Sequence, residues 1–329
     1  MMQFIRPALL ATTILTASMT TAFADVRVVT SIKPVHSLVA AVMQGVGTPD
    51  LIVEGAGSPH TYALKPSQAK QLQEADLVFW MSHDLEAFLE KSIDGIATKA
   101  VSVPLMESRG LMTLGFREGG AFDDHGHDEH DDHDEHDKDD DHDHEKHDDH
   151  DEHDHGEVDP HVWLDPENAK AMVHEIEEAL AKADPANAAT YESNAEAVMA
   201  KLDSLVAEID SELQPVKGRG YIVFHDAYQY FENRFGVSAI GSITVSPEVL
   251  PGAERISDLQ EKVRSLDATC VFSEPQFEPK LVATVTENTN ARTGVLDPLG
   301  AAIDKGPNLY FTLIRNMASS LKNCLLGSG

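Results

Sequence analysis

Short apolar runs rich in β-branched residues alternate along the chain with stretches whose apolar positions recur every three to four residues. In the first half the runs Val26 to Thr30, Leu51 to Val53, Leu77 to Trp80 and Val101 to Val103 read as strands. Helices are expected over Pro34 to Val42, over Gln68 to Ala75 with Ser67 as N-cap, and over Asp84 to Ser92. Helical spacing returns at Glu167 to Lys182, carried by Met172, Val173, Ile176 and Leu180. A longer helix opens at Pro185 and runs to about Leu213, where Pro215 stops it. At about 1.5 Å per residue it spans roughly 40 Å, enough to run along two lobes.

The second half repeats the logic. Strands are expected at Tyr221 to Phe224, Ala239 to Val245, Cys270 to Phe272 and Thr293 to Leu296. Helices are expected at Tyr228 to Phe235, within Pro251 to Leu266, at Lys280 to Thr289 and at Tyr310 to Leu326. Strand–helix alternation of this kind predicts α/β architecture with parallel sheets built from βαβ units. With 329 residues and 42% apolar content the chain can fill two cores.

Residues Asp123 to Glu157 break the pattern. This tract has no aliphatic or aromatic side chain and is expected to be disordered. Its eleven histidines are His125, His127, His130, His133, His136, His142, His144, His147, His150, His153 and His155. It holds 20 of the 56 acidic residues against two lysines, and so more than half of the formal net charge of -31. Imidazole nitrogen and carboxylate oxygen both ligate borderline divalent metals such as zinc. The tract reads as a loose, multivalent metal collector rather than a plain acidic linker, because imidazoles are poor solubilisers. The charge argues against nucleic acid as a partner.

The first residues read as a secretory signal. Arg6 supplies the positive charge, Pro7 to Met19 the apolar core and Ala22-Phe23-Ala24 a cleavage site, so residues 1–24 are expected to be removed. No later stretch reaches 18 apolar residues. In an oxidising compartment the two cysteines, Cys270 and Cys324, are the number for one disulfide; two buried thiols are the other reading.

Three histidines outside the tract share a context. His60 follows the breaker-rich loop Glu54 to Pro59, His161 sits in a proline-bounded turn, and His225 ends a strand. Ligands of open parallel sheets bind beyond the carboxyl ends of the strands, so the three could converge in a cleft. Asp297 also ends a strand and is a fourth candidate. Three imidazoles with a water or carboxylate suit tetrahedral zinc. A metal-bound imidazole gives its other N–H to a carboxylate or carbonyl, and Asp159, Asp165 and Asp226 lie near enough in sequence to serve. His36, His83 and His174 fall on or beside helical stretches and are not expected to be ligands. The chain has no HExxH, glycine-rich phosphate loop or G-x-S-x-G signature. A three-histidine site with an open position could activate water for hydrolysis, but no dedicated general base stands out.

Several ordered motifs now add up. They are Ser58-Pro59-His60-x-Tyr62-x-Leu64-x-Pro66-Ser67, Asp159-Pro160-His161-Val162-Trp163-Leu164-Asp165-Pro166 and Phe224-His225-Asp226-Ala227-Tyr228, then Ser246-Pro247-Glu248, Glu274-Pro275-Gln276-Phe277 and Leu296-Asp297-Pro298-Leu299-Gly300. Together they resemble the periplasmic zinc-binding proteins of bacterial high-affinity zinc-uptake ABC transporters, from Asp25 to Leu325. The resemblance implies that His60, His161 and His225 bind Zn²⁺. It matches Asp297 to the acidic cleft position that completes the site in manganese-binding relatives, whereas a water or another carboxylate fills that place in zinc members. Some zinc members have a glutamate before the first histidine, where this chain has Pro59; manganese relatives have a carboxylate where it has His225.

The resemblance further implies two (β/α) lobes joined by one long helix, with the metal site in the interlobe cleft and a Cys270–Cys324 disulfide in the second lobe. The expected organisation is a signal over 1–24, a first lobe over 25–183 carrying the loop 123–157, a linking helix over 185–213 and a second lobe over 217–329. The implied function is a non-enzymatic, monomeric periplasmic receptor that delivers zinc to an inner-membrane ABC permease with its cytosolic ATPase. An accessory periplasmic zinc chaperone is a further candidate partner. A zinc buffer without a transporter and a zinc-dependent hydrolase are the alternatives.

Overall fold

The computed structural model describes residues 26–117, 158–244, 247, 251–265 and 270–327. The signal, the eleven tract histidines and the Ser246 and Glu248 positions lie outside the described residues.

Two four-stranded parallel sheets form. The first contains β1 (Val28–Thr30), β2 (Asp50–Leu51), β3 (Leu77–Trp80) and β4 (Val101–Pro104) in the order β2-β1-β3-β4. The second contains β5 (Tyr221–His225), β6 (Ala239–Thr244), β7 (Cys270–Ser273) and β8 (Arg292–Val295) in the order β6-β5-β7-β8. The spatial order of the second sheet thus repeats that of the first. β1, β3 and β5 are buried at every position, as strands covered on both faces must be.

The helices are α1 (Lys33–Val42), α2 (Pro66–Glu74), α3 (Ala87–Ile96), α4 (Pro166–Ala183), α5 (Ala188–Leu213), α6 (Gln229–Phe235), α7 (Ala253–Ser265), α8 (Lys280–Thr286) and α9 (Leu309–Leu326). All ten residues of α1 are buried, the signature of a helix enclosed by others. In α5, Tyr191, Ala195, Val198, Leu202, Leu205, Ile209 and Leu213 form one buried stripe. That stripe packs on α4 and α1 from the first half and α9 from the second, so the long helix does run along both lobes. One large core cluster contains side chains of both halves, while Ile222, Phe224, Ile243, Leu259, Val263 and Val271 belong to a smaller one in the second lobe.

Several boundaries differ from the sequence reading, and three of these differences bear on how the first lobe is built. α2 begins at Pro66, with Lys65 rather than Ser67 at the cap position. Proline at the first helical position needs no N–H partner, and the Gln68 side chain accepts the Lys65 N–H at 2.9 Å. α3 begins at Ala87 rather than Asp84, because the Glu86 carboxylate accepts the N–H groups of Met81 and Ser82 and ties the preceding turn to the end of β3. β2 is shorter than expected, although Ile52 and Val53 still donate to the Thr30 and Ser31 carbonyls.

Cys270 at the start of β7 and Cys324 on α9 form a disulfide that pins the closing helix to its sheet. Further ties cross between the lobes. The Lys33 ammonium on α1 donates to the carbonyls of Gly300 (2.6 Å), Ala301 (3.0 Å) and Ile303 (2.6 Å). Trp163 Nε1 donates to Pro298 O at 2.9 Å, and Tyr310 OH donates to Trp163 O at 2.7 Å. Among the described residues no helix is long and apolar enough to cross a membrane.

Candidate metal centre

Each histidine of the expected trio is delivered by the end of an element. The chain leaves β2 through a loop in which Gly55 takes φ 65°, then places His60 in the short 3-10 turn Pro59–Thr61. His161 stands immediately before the 3-10 turn Val162–Leu164. His225 is the last residue of β5, beside the point where the strand order reverses between β5 and β7. The structure brings the three together: one ring nitrogen from each lies within 4.8 Å of the others. Ring centroids are 5.4 Å apart for His60 and His161, 5.8 Å for His60 and His225, and 5.3 Å for His161 and His225.

Two of the rings are oriented by buried carboxylates. His161 donates from Nδ1 to Asp159 Oδ1 at 2.6 Å, and its backbone N–H reaches the same oxygen at 3.0 Å. Asp159 is itself held by Gln229 Nε2 at its other oxygen and by Tyr230 OH at its carbonyl. His225 donates from Nδ1 to Glu274 Oε1 at 2.7 Å. With both Nδ1 atoms protonated, both Nε2 atoms carry lone pairs, and these face each other at 3.4 Å. Two nitrogens bound about 2.0–2.1 Å from a tetrahedral ion stand about 3.3–3.4 Å apart, so the pair already has the edge length of such a site.

Charge follows the same plan. Burial, reinforced by the other two imidazoles, drives the His60 pKa down to about 2, which keeps that ring neutral. Burial is the largest single influence on His225 and opposes its protonation, but the carboxylates of Glu274, Asp226 and Asp159 together outweigh it and the net shift is upward. The trio lines a cavity of about 10 Å³, room for roughly one water-sized sphere.

The other candidates sit elsewhere. Asp297 is not in the group: its Oδ1 accepts from Leu299 N (3.1 Å), Gly300 N (2.9 Å) and Gln276 Nε2 (3.0 Å), and its Oδ2 from Ala301 N (2.6 Å). Of the three aspartates near the trio in sequence, only Asp159 bonds a ring. Asp165 caps α4 through the Glu167 N–H and pairs with Arg234. Asp226 pairs with Arg117, which also holds Glu232. His36 is buried against the Pro49 carbonyl, while His83 and His174 pair with glutamates on exposed surface. Sequence reasoning missed Glu274 as the orienting group of His225, although its place one residue beyond β7 was a usable signal. Arg117 was also missed, and nothing local marks it.

Known proteins share this arrangement of chain. The family described as zinc-uptake complex component A, periplasmic (ZnuA), matches residues 28–324. The high-affinity zinc uptake system protein ZnuA of Brucella abortus (strain 2308) is 58% identical over 304 residues, covering 91% of both chains. Its counterpart from Yersinia pestis is 36% identical over 324 residues, covering 98% of both. Among solved structures, a ZnuA crystal structure superimposes with a TM-score of 0.74 at 24% identity, covering 92% of this chain and 99% of that one. A manganese-bound periplasmic metal-binding protein from Candidatus Liberibacter asiaticus does so with 0.70 at 20% identity, covering 91% and 99%, and so shares the fold. On the length of the family match and the identity to these relatives, the chain belongs to the ZnuA family of periplasmic zinc-uptake components.

Proposed function

We propose that this chain is a periplasmic receptor that captures Zn²⁺ between its lobes through His60, His161 and His225 and delivers it to an ABC permease driven by a cytosolic ATPase. The observation that carries the reading is the three-nitrogen group with two rings already turned outward by Asp159 and Glu274. Imidazole donors favour zinc over manganese, which takes carboxylate and water more readily. The relatives named for high-affinity zinc uptake support the same cargo. A receptor must also release what it holds. Protons compete for the ring nitrogens, and loading the site has to displace whatever proton the raised pKa of His225 retains at Nε2. Affinity therefore falls as the pH falls.

The test is a zinc titration of the mature protein beside a version lacking residues 123–157, with stoichiometry and affinity read separately. One tight site is expected in both and extra weak sites only in the first. Alanine at His60, His161 or His225 in the shortened protein should weaken the tight site by tenfold or more, as loss of a ligand outweighs the 10- to 100-fold typical of its supporting groups. A shortened protein with no tight site sinks the assignment.

A further inference from the structure

Besides the three histidines, the cavity has a largely apolar lining: Pro59, Trp163, Phe277, Pro298 and Leu299. Of these five side chains all but Phe277 are buried. Among all the residues that line the cavity, only His60, Gln276 and Phe277 are partly exposed. A path from solvent to the rings therefore runs between the His60 turn of the first lobe and the turn that carries Gln276 and Phe277 in the second.

Phe277 is held in that place from several directions. Its backbone N–H donates to the Glu274 carbonyl at 3.2 Å, so one tight turn carries both this ring and the carboxylate that orients His225. The ring stacks on Phe224, with centroids 4.8 Å apart and planes 7° from parallel. It meets the His225 imidazole edge-on, at 5.8 Å and 76°. Aromatic pairs at such separations are favourable beyond the area they bury. Phe224 belongs to the smaller core of the second lobe, and Phe277 packs against that core. A hydrocarbon ring so placed neither ligates a metal nor hydrogen-bonds a water that does.

Three imidazole nitrogens occupy one face of an ion and leave the opposite face undefined. Zinc is satisfied with four ligands, whereas manganese, magnesium and calcium take six or more, mostly oxygens and often water. A three-nitrogen face serves those ions only if room remains for about three further ligands. The free space bounded by the histidines is about 10 Å³, roughly one water-sized sphere. We propose that Phe277 is a specificity-determining residue: its ring closes the mouth of the histidine cavity, holds the bound ion to four ligands and so rejects divalent ions that require six. The proposal rests on the three-histidine reading above and adds the side chain that enforces its selectivity. The nitrogen donors decide which ions are attracted. The ring decides which of them can shed enough water to stay.

Cobalt(II) at one equivalent in the mature full-length protein reports the coordination number through its visible absorption, strong in a four-coordinate site and several-fold weaker in a six-coordinate one. The wild type should show the strong bands; weak, six-coordinate bands overturn the proposal with no variant needed. Phe277→Ala removes the ring and should weaken the bands several-fold. Zinc and manganese affinities can be set with metal buffers and read from tryptophan fluorescence, because the Trp163 ring lies 5.2 Å from that of His161. In Phe277→Ala the zinc-to-manganese ratio should fall by about tenfold or more, the low end of what reshaping an apolar pocket does to discrimination. Phe277→Leu keeps most of the volume and should match the wild type in both readouts. Phe277→Val should fall between the two, and it serves as the opening variant if the alanine protein does not fold. A residue that only supports the fold would lower the melting temperature of the opened variant and leave its cobalt bands and metal ratio where they were. That result sinks the role of Phe277. Retention of the strong cobalt bands in His225→Ala would instead overturn the three-histidine reading, so the two failures are distinguishable.

Discussion

Burial in the first lobe pushes the His36 imidazole down to about 4, with the nearby Lys305 and Lys33 charges adding to the effect. Above the unfolded value of about 6.5 the ring is neutral in both states. As the pH falls below that value the unfolded chain takes up a proton that the folded chain refuses, so stability is lost down to about pH 4 and no further. The loss is at most about 3 kcal/mol. Glu86 has the opposite sign. Its burial outweighs the donors around it and raises its carboxyl to about 7. It contributes stability at low pH that disappears as the pH rises through 7. His36→Gln keeps a donor for the Pro49 carbonyl and removes the titration, so its unfolding free energy should fall less steeply between pH 6.5 and 4 than that of the wild type. Glu86→Gln should raise stability at pH 8 by up to about 3 kcal/mol and leave it nearly unchanged at pH 4. Denaturant melts of the three proteins across pH check both, and parallel curves would remove either residue from the account.

Elements rather than single residues decide where the chemistry collects. The strands were readable because continuous apolar runs such as Leu77–Trp80 and Tyr221–His225 are buried on both faces. Helix starts were misread where a side chain bonds the backbone of the preceding turn, as the Glu86 carboxylate does before α3. His60 and His225 were legible because each lies at or soon after the carboxyl end of a strand, and His161 because prolines bound its turn. Their partners were not: Glu274 meets His225 across 49 residues and Arg117 meets Asp226 across 109, and one sequence carries no register for such pairs. Asp297 was legible as a strand-end acid, but its donors come from the backbone of its own loop, which side-chain identity does not advertise. The disulfide makes an element-scale prediction. It closes a loop with 54 residues of sequence separation, for which chain entropy gives up to about 4 kcal/mol. Replacing Cys270 and Cys324 together by serine should lower the stability of the protein by up to that amount in a denaturant melt. It should leave zinc affinity within a factor of two or so, since neither position touches the trio. A large loss of affinity with little loss of stability would contradict this division of labour.

At the scale of the whole molecule, the two sheets are not free to swing. α5 packs along both halves, Lys33 and Trp163 bond into the loop after β8, and Tyr310 bonds back to Trp163. Loading with zinc should therefore leave the radius of gyration unchanged in solution scattering, with any rearrangement confined to the loops carrying His60 and His161. A hinge closure of the kind seen when two lobes share only a flexible connection would shrink it measurably and contradict the reading. The reach of Lys33 also bears on how the protein comes to be folded. Its carbonyl partners lie 267 to 270 positions further along the chain, and α9, which covers α1, lies further still. Contacts of such separation form late, because a long loop must close before any of them is rewarded. The first lobe is thus synthesised early but completed last, with an apolar helix and a lysine destined for burial waiting on the far end of the chain. Between those two events the protein is most exposed to proteases and to its own neighbours.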